Sequence, residues 1–257
     1  MGDNQRLTAR KESGYEHNNK KRVCDTFNKL THKLSPWEVW KDFVVMCSCS
    51  FSNALDKSHY DEREKLYMDT IKKYDKEDQA AFPKLLAYTV MALEENPDQD
   101  FLGTIYTELG LVNKQHKQIF TPYNVSRLMA EITMENVAQE VKEKGYITLN
   151  DDCCGAGSTL IAGVNTIKSI LEKQRLNFQN HLLVAAQDID LTVGLMCYIQ
   201  LSLLGVAAYI KIDDAISKPM AVDDTLENYW FTPMYFSEVW KTRRMIKQVE
   251  QLFKEDK

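Results

Sequence analysis

From Leu191 to Ile210 the chain runs twenty residues without a formal charge. A run of that length is enough to span a membrane as a helix. Thr192, Gln200, Ser202 and Gly205 interrupt it, however, and Asp190 directly precedes it. Gly205 reads as a helix stop, and Val206–Ile212 reads as a strand. The run therefore predicts a buried helix followed by a core strand, with no membrane segment.

The flanking pattern extends this. Tyr146–Leu149 is a short strand, Ser158–Lys173 a helix, Leu182–Ala186 a strand, Leu191–Leu204 a helix and Ala208–Ile212 a strand. Such alternation is the signature of a parallel sheet with crossover helices. Three strands leave an exposed edge, which a helix, a second copy or a partner chain is expected to cover. Upstream, Ser35-Pro36 opens a helix carrying Trp37, Trp40, Phe43 and Val44 at helical spacing. Further helices are expected over Tyr60–Tyr74, Asp78–Glu95 and Gln99–Leu109, so residues 36–117 read as a helical module. Residues 118–257 then form an α/β domain that opens with a helix over Pro122–Lys142 and closes with a basic helix after Tyr235. Residues 1–35, polar and without apolar periodicity, read as a flexible arm.

With 44% hydrophobic and 27% charged residues among 257, the composition is that of an ordinary globular protein. The net charge of −5 excludes a wholly basic nucleic-acid-coating protein, yet it conceals an arm of +4 on a body of −9. Arm and basic C-terminal helix (Lys241, Arg243, Arg244, Lys247) are the segments suited to phosphate contact. The six cysteines form no CxxC pair and no His cluster joins them, so reduced thiols in a cytoplasm and no metal site are expected.

The chemistry begins at Asp151-Asp152-Cys153-Cys154-Gly155-Ala156-Gly157-Ser158, where a strand ends, a small-residue loop turns and a helix starts. Glycines there let backbone approach a ligand, and the helix N-terminus offers unpaired N–H groups. The next strand ends at Gln187-Asp188, where an acid meets ribose hydroxyls in Rossmann-like folds, and the third ends at Asp213-Asp214, within reach of an adenine edge. Asp190 reads as a helix N-cap. Together these positions predict an adenosine-containing ligand.

These residues also carry a family resemblance. Gln118-Ile119-Phe120-Thr121-Pro122 before a helix resembles the Q-F-F-T-P element of N6-adenine DNA methyltransferases of the type I modification-subunit branch. Asp151-x-x-Cys154-Gly155-x-Gly157 is similar to that family's D-P-A-C-G-S-G loop, and Gln187-Asp188-Ile189-Asp190 to its Q-E-I-D-P segment. Asp100-Phe101-Leu102-Gly103 with Asn113-Lys114 resembles a helical lead-in of phage and mobile-element members. The resemblance implies a partial Rossmann-like methyltransferase fold that takes S-adenosyl-L-methionine. Phe120, Thr121 and Pro122 would border the cofactor, Asp151, Gly155 and Gly157 would wrap its methionine part, Asp188 would hold the ribose and Asp214 would lie near the adenine.

The family's N-P-P-Y tetrapeptide, which orients the target adenine, is absent. Thr232-Pro233-Met234-Tyr235 is the nearest match, making Thr232, Pro233 and Tyr235 the catalytic candidates. The surrounding aromatics, Tyr229 to Phe236, suit either a flipped base or the cover of a sheet edge. Two functions follow: an adenine-specific DNA methyltransferase working as a homodimer or with a specificity-type subunit, as in restriction–modification; or an inactive homologue serving a plasmid or phage as a DNA-binding accessory or decoy.

Overall fold

The structure, a computed structural model, describes residues 18–112 and 119–255. No helix among the described residues is long and apolar enough to cross a membrane. The uncharged run is helix α10 (Leu191–Leu203), buried without interruption from Thr192 to Leu201, followed by strand β3 (Ala207–Ile212).

The arm expected over residues 1–35 needs correction. Residues 18–30 form helix α1, which buries Val23, Phe27 and Leu30. Positions 23, 27 and 30 lie at i, i+4 and i+7, a narrow apolar stripe that the surrounding basic residues hide in the composition. Phe27 meets Trp40 edge to face, with ring centroids 5.6 Å apart. Two basic side chains of this segment are paired at the surface: Lys20 with Glu108, and Lys33 with Asp75 and Asp78. Residues 1–17 lie outside the described residues.

Helix α2 (Pro36–Leu55) starts as its sequence predicts, with Pro36 in the first turn and a reciprocal capping box between Ser35 and Glu38. It packs on α3 (Tyr60–Ile71), followed by the short α4 (Lys76–Gln79), α5 (Phe82–Glu95) and α6 (Phe101–Glu108). The expected helix over Asp78–Glu95 is split, because Pro83 belongs in the first turn of α5. The expected helix over Pro122–Lys142 is likewise two, α7 (Tyr123–Thr133) and α8 (Val137–Lys144). Met134 leaves helical geometry between them and brings its side chain toward Leu149 and Gly163.

One hydrophobic cluster runs from Val23 through Trp40, Phe43 and Tyr106 to Leu195, Ile199 and Trp230. The helical module and the α/β part thus share a core, and the indole N–H of Trp40 points at Met196 Sδ, 3.3 Å away.

Strands β1 (Ile147–Asp151), β2 (Leu182–Asp188) and β3 are parallel, and β4 (Tyr229–Phe231) adds antiparallel, giving the order β1-β2-β3-β4. The β3 edge, expected to be covered by a helix, a second copy or a partner, is closed by this fourth strand of the same chain. Helix α9 (Ser158–Lys173) links β1 to β2, and α10 links β2 to β3. Leu149 lies against α9 at Gly163, and Ile210 and Ile212 lie against α10 at Gly194. On the other face the register groups Leu183, Tyr209, Lys211, Tyr229 and Phe231. Helix α11 (Glu238–Glu255) and the loop over 213–228 lie on that second face.

Arg63 ties α3 to β4. Its guanidinium is buried, donates to Asp56 Oδ2 at 2.8 Å, to Ser52 Oγ and to the Tyr229 carbonyl at 2.5 Å, and lies 4.1 Å over the Trp230 ring. Burial alone would raise the Asp56 carboxyl, but hydrogen bonds from Ser58 and His59 and the charge of Arg63 hold it below the usual range. Removing the cation strands a buried carboxylate, so Arg63→Ala is expected to cost about 3–5 kcal/mol in chemical denaturation. With its folded pKa depressed, Asp56 contributes stability above its unfolded pKa, and that contribution is lost as pH falls through the lower folded value.

Candidate cofactor pocket

The loop after β1 is built around two glycines in left-handed backbone, Gly155 at φ +53° and Gly157 at φ +95°. At Gly157 a Cβ would stand 2.8 Å from Cys197 Sγ, so both conformation and space demand glycine. Asp151 braces the loop from inside: its carboxylate accepts from the Cys153 N–H at 3.0 Å and from the Thr159 hydroxyl. The Cys154 N–H donates to the Gln187 carbonyl at 3.0 Å, fastening the loop to the end of β2.

Beneath the loop lies a buried polar node. Gln200 of α10 donates to the Ala156 carbonyl at 2.9 Å and to Asp100 Oδ1 at 2.8 Å, and accepts from the Leu102 N–H at 3.1 Å. Asp100 also caps α6 by accepting from the Gly103 N–H at 2.9 Å. The Asp100–Gly103 part of the lead-in motif thus braces the glycine loop through Gln200, while Asn113-Lys114 and Gln118 lie outside the described residues.

At the carboxyl ends of β1 and β2 opens a cavity of about 520 Å3, lined by Ile119, Phe120, Cys153, Gly155, Asp188, Ile189, Asp190 and Val193. Asp188 accepts from the Gly155 N–H at 2.8 Å and from the Asp190 N–H at 2.9 Å, which fixes its carboxylate at the cavity wall. Burial pushes this carboxyl above its ordinary value, and the Asp190 and Asp151 charges add to that, against the two backbone donors. Phe120 is held edge to face on Tyr106, at 5.8 Å between centroids, and its ring lies 3.7 Å from where a Cβ on Gly155 would stand.

The expected cofactor residues divide accordingly. Phe120, Gly155 and Asp188 line the cavity. Asp151 and Gly157 shape the loop behind it. Thr121 contributes its carbonyl, which accepts from Ser158 Oγ at 3.1 Å, and Pro122 is the N-cap of α7. Asp214 follows β3 but accepts from the Ile216 N–H at 3.0 Å and from Ser217 Oγ, within its own turn, and does not line the cavity. Asp190 caps α10 as expected, accepting from the Thr192 N–H at 2.8 Å. The lining also takes in Cys153, Val193, Ile119 and Ile189, to which the sequence assigns no ligand contact. Ile119 and Ile189 carry a usable signal, since both are bulky apolar residues left exposed, at 91% and 71%.

The tetrapeptide assignment needs correction. Thr232 is buried at the opposite end of β3, where its hydroxyl donates to the Val206 carbonyl at 2.6 Å and accepts from the Ala208 N–H at 2.8 Å. The rise of a strand puts the two ends of β3 about 16 Å apart. Pro233 opens a short 3-10 turn, and Tyr235 packs against Phe231 on the second face of the sheet, with ring centroids 4.7 Å apart and planes tilted by 31°. None of the three reaches the cavity. The aromatic segment supplies the strand that closes the sheet edge and the ring cluster beside it.

Two outcomes follow from this geometry. Gly157→Ala is expected to destabilise the fold by about 1–3 kcal/mol, through crowding against Cys197 together with left-handed backbone strain, read in denaturant melts. An adenosine ligand held by Asp188 needs the ionised carboxylate, so affinity should fall with pH through a midpoint above the ordinary aspartate value of 3.8, in calorimetric titrations. In the unliganded protein the sign reverses: a raised folded pKa makes this group's contribution to stability grow as pH falls.

No curated protein and no solved structure matches the chain. A family model, N-6 DNA methylase, matches residues 98–256, which is more than half of the sequence. The match takes in the Asp100 node, the glycine loop and Asp188 alike, and the chain belongs to the N-6 DNA methylase family.

Proposed function

We propose that the chain binds S-adenosyl-L-methionine in the cavity at the carboxyl ends of β1 and β2, as an adenine-N6 DNA methyltransferase-like protein acting on DNA. The observation that carries this is Asp188, a carboxylate fixed by two backbone N–H groups beside a loop whose two glycines hold left-handed backbone. When bound, S-adenosyl-L-methionine supplies a methyl group activated by its sulfonium. The chain's own part is recognition: Asp188 accepts from a ribose diol, Gly155 presents bare backbone, and Phe120 and Ile189 give apolar walls that exclude water.

Thr232 favours the second function within the family. With its hydroxyl engaged by the β3 backbone, the tetrapeptide cannot orient an adenine amino group, so this chain acts as a cofactor-holding, catalytically silent member of a DNA-modifying assembly. The sheet offers a place for another chain, because β1 has no strand neighbour on its outer side among the described residues. Val125, Leu128, Met129 and Ile132 expose an apolar stripe on α7, whose C-terminal end approaches β1.

Calorimetry with S-adenosylhomocysteine tests the pocket. Binding by the wild type, weakened 10- to 100-fold in Asp188→Asn, is the expected result; a wild type that does not bind overturns the assignment. Labelled-methyl transfer to varied DNA tests catalysis: incorporation by this chain alone would show it to be an active enzyme. Light scattering tests the second copy, which a monodisperse monomer would exclude.

A further inference from the structure

The second face of the sheet holds a separate cavity of about 430 Å3, between the 213–228 loop and α11. Its volume lies in the range of small-ligand clefts. Tyr209, Phe231 and Tyr235 form its aromatic floor, and Arg243, Arg244 and Lys247 its rim. Phe231 and Tyr235 lie 4.7 Å apart, with Tyr209 edge-on to Tyr235 at 6.1 Å. The hydroxyls of Tyr209 and Tyr235 have no hydrogen-bond partner among the described residues.

The cations differ in freedom. Arg243 is anchored, donating to the Gly145 carbonyl at 3.0 Å and the Asn180 carbonyl at 3.1 Å. Arg244 lies 4.0 Å over the Tyr235 ring and spends one N–H on the Tyr235 carbonyl. Lys247, one turn further on, is exposed. None of the three pairs with a carboxylate among the described residues, although the body of the chain is acidic. An apolar ligand would need no such rim, and a simple anion would need no aromatic floor. A planar ring bearing an anion uses both.

We propose that this cavity binds a nucleotide, with the base on the half-buried Tyr209 ring, which Phe231 and Tyr235 back, and the phosphate on Arg244 and Lys247. Base–aromatic stacking tolerates any base, so the site accepts either a free nucleotide or an unpaired nucleotide of a strand. It lies on the other sheet face from the cofactor cavity and does not rest on that assignment.

Fluorescence anisotropy of a labelled thymidine dodecamer on the full chain, with the cofactor cavity saturated by S-adenosylhomocysteine, tests it. Thymidine monophosphate and a duplex of the same length serve as competitors. Binding is expected, weakened about 10-fold or more in Tyr209→Leu. Lys247→Ala, at an exposed position, should lower the dependence of log affinity on log salt by about one. Competition by the monophosphate at equal affinity identifies a free nucleotide as the ligand; preference for the dodecamer identifies a strand. Failure of both probes to bind, equal competition by the duplex, or binding that Lys247→Ala leaves unchanged overturns the proposal. A chain that binds S-adenosylhomocysteine but neither probe overturns it alone.

Discussion

Inside α10, Gln200 has no contact with water, so its hydrogen-bonding capacity must be met by protein. It is met by three segments far apart in sequence: the Leu102 N–H, the Asp100 carboxylate and the Ala156 carbonyl. Leaving any of these buried groups unpaired costs about 1–3 kcal/mol. The amide therefore fixes the lead-in helix, the glycine loop and the central helix against one another in a single arrangement. Gly103 belongs to the same constraint, since a Cβ there would fall 2.2 Å from the Asp100 carboxylate. The position of the glycine loop is set from below, by a network that does not line the cavity.

The two faces of the sheet are built on different physics. The face toward α9 and α10 is dry and aliphatic, and its contacts are those of an ordinary core. The other is aromatic and polar, with Lys211 buried and donating to the Pro219 carbonyl and to Asp224. Hydrogen bonds from Lys211 and Tyr229 draw the Asp224 carboxyl down to about 2, so the carboxylate that clamps the 213–228 loop stays ionised across the neutral range. Gln187 holds the same loop by donating to the Asp213 and Lys218 carbonyls.

Much of the fold was legible because its signals are local. Ser35-Pro36, the glycine loop and the uncharged run each dictate structure within a few residues. Three features were not, each for a physical reason. In α1 three buried side chains decide the helix while basic neighbours decide the composition. Strand β4 has three residues and follows a polar loop, so nothing in its own sequence separates a strand from an aromatic plug. Thr232 resembles part of a catalytic tetrapeptide by type, but the backbone it pairs with, 24 and 26 residues earlier, determines what its hydroxyl does. Gly155 and Asp188 stand where the sequence puts them, in the turn after β1 and at the end of β2, because backbone geometry and strand position are local properties. Asp214 differs because it turns back on its own loop, accepting from the Ile216 N–H and Ser217 Oγ, and does not line the cavity.

The shared core also sets a schedule for synthesis. Trp40 and Met196, which meet in the core, are separated by 156 residues, and Arg63 and Tyr229 by 166. At ribosomal rates of about 5–20 residues per second, the indole of Trp40 waits roughly 8–30 s for its partner to emerge. Through that interval the amino-terminal helices carry an unfilled apolar seam, so they reach their final packing only after the central helix has left the ribosome.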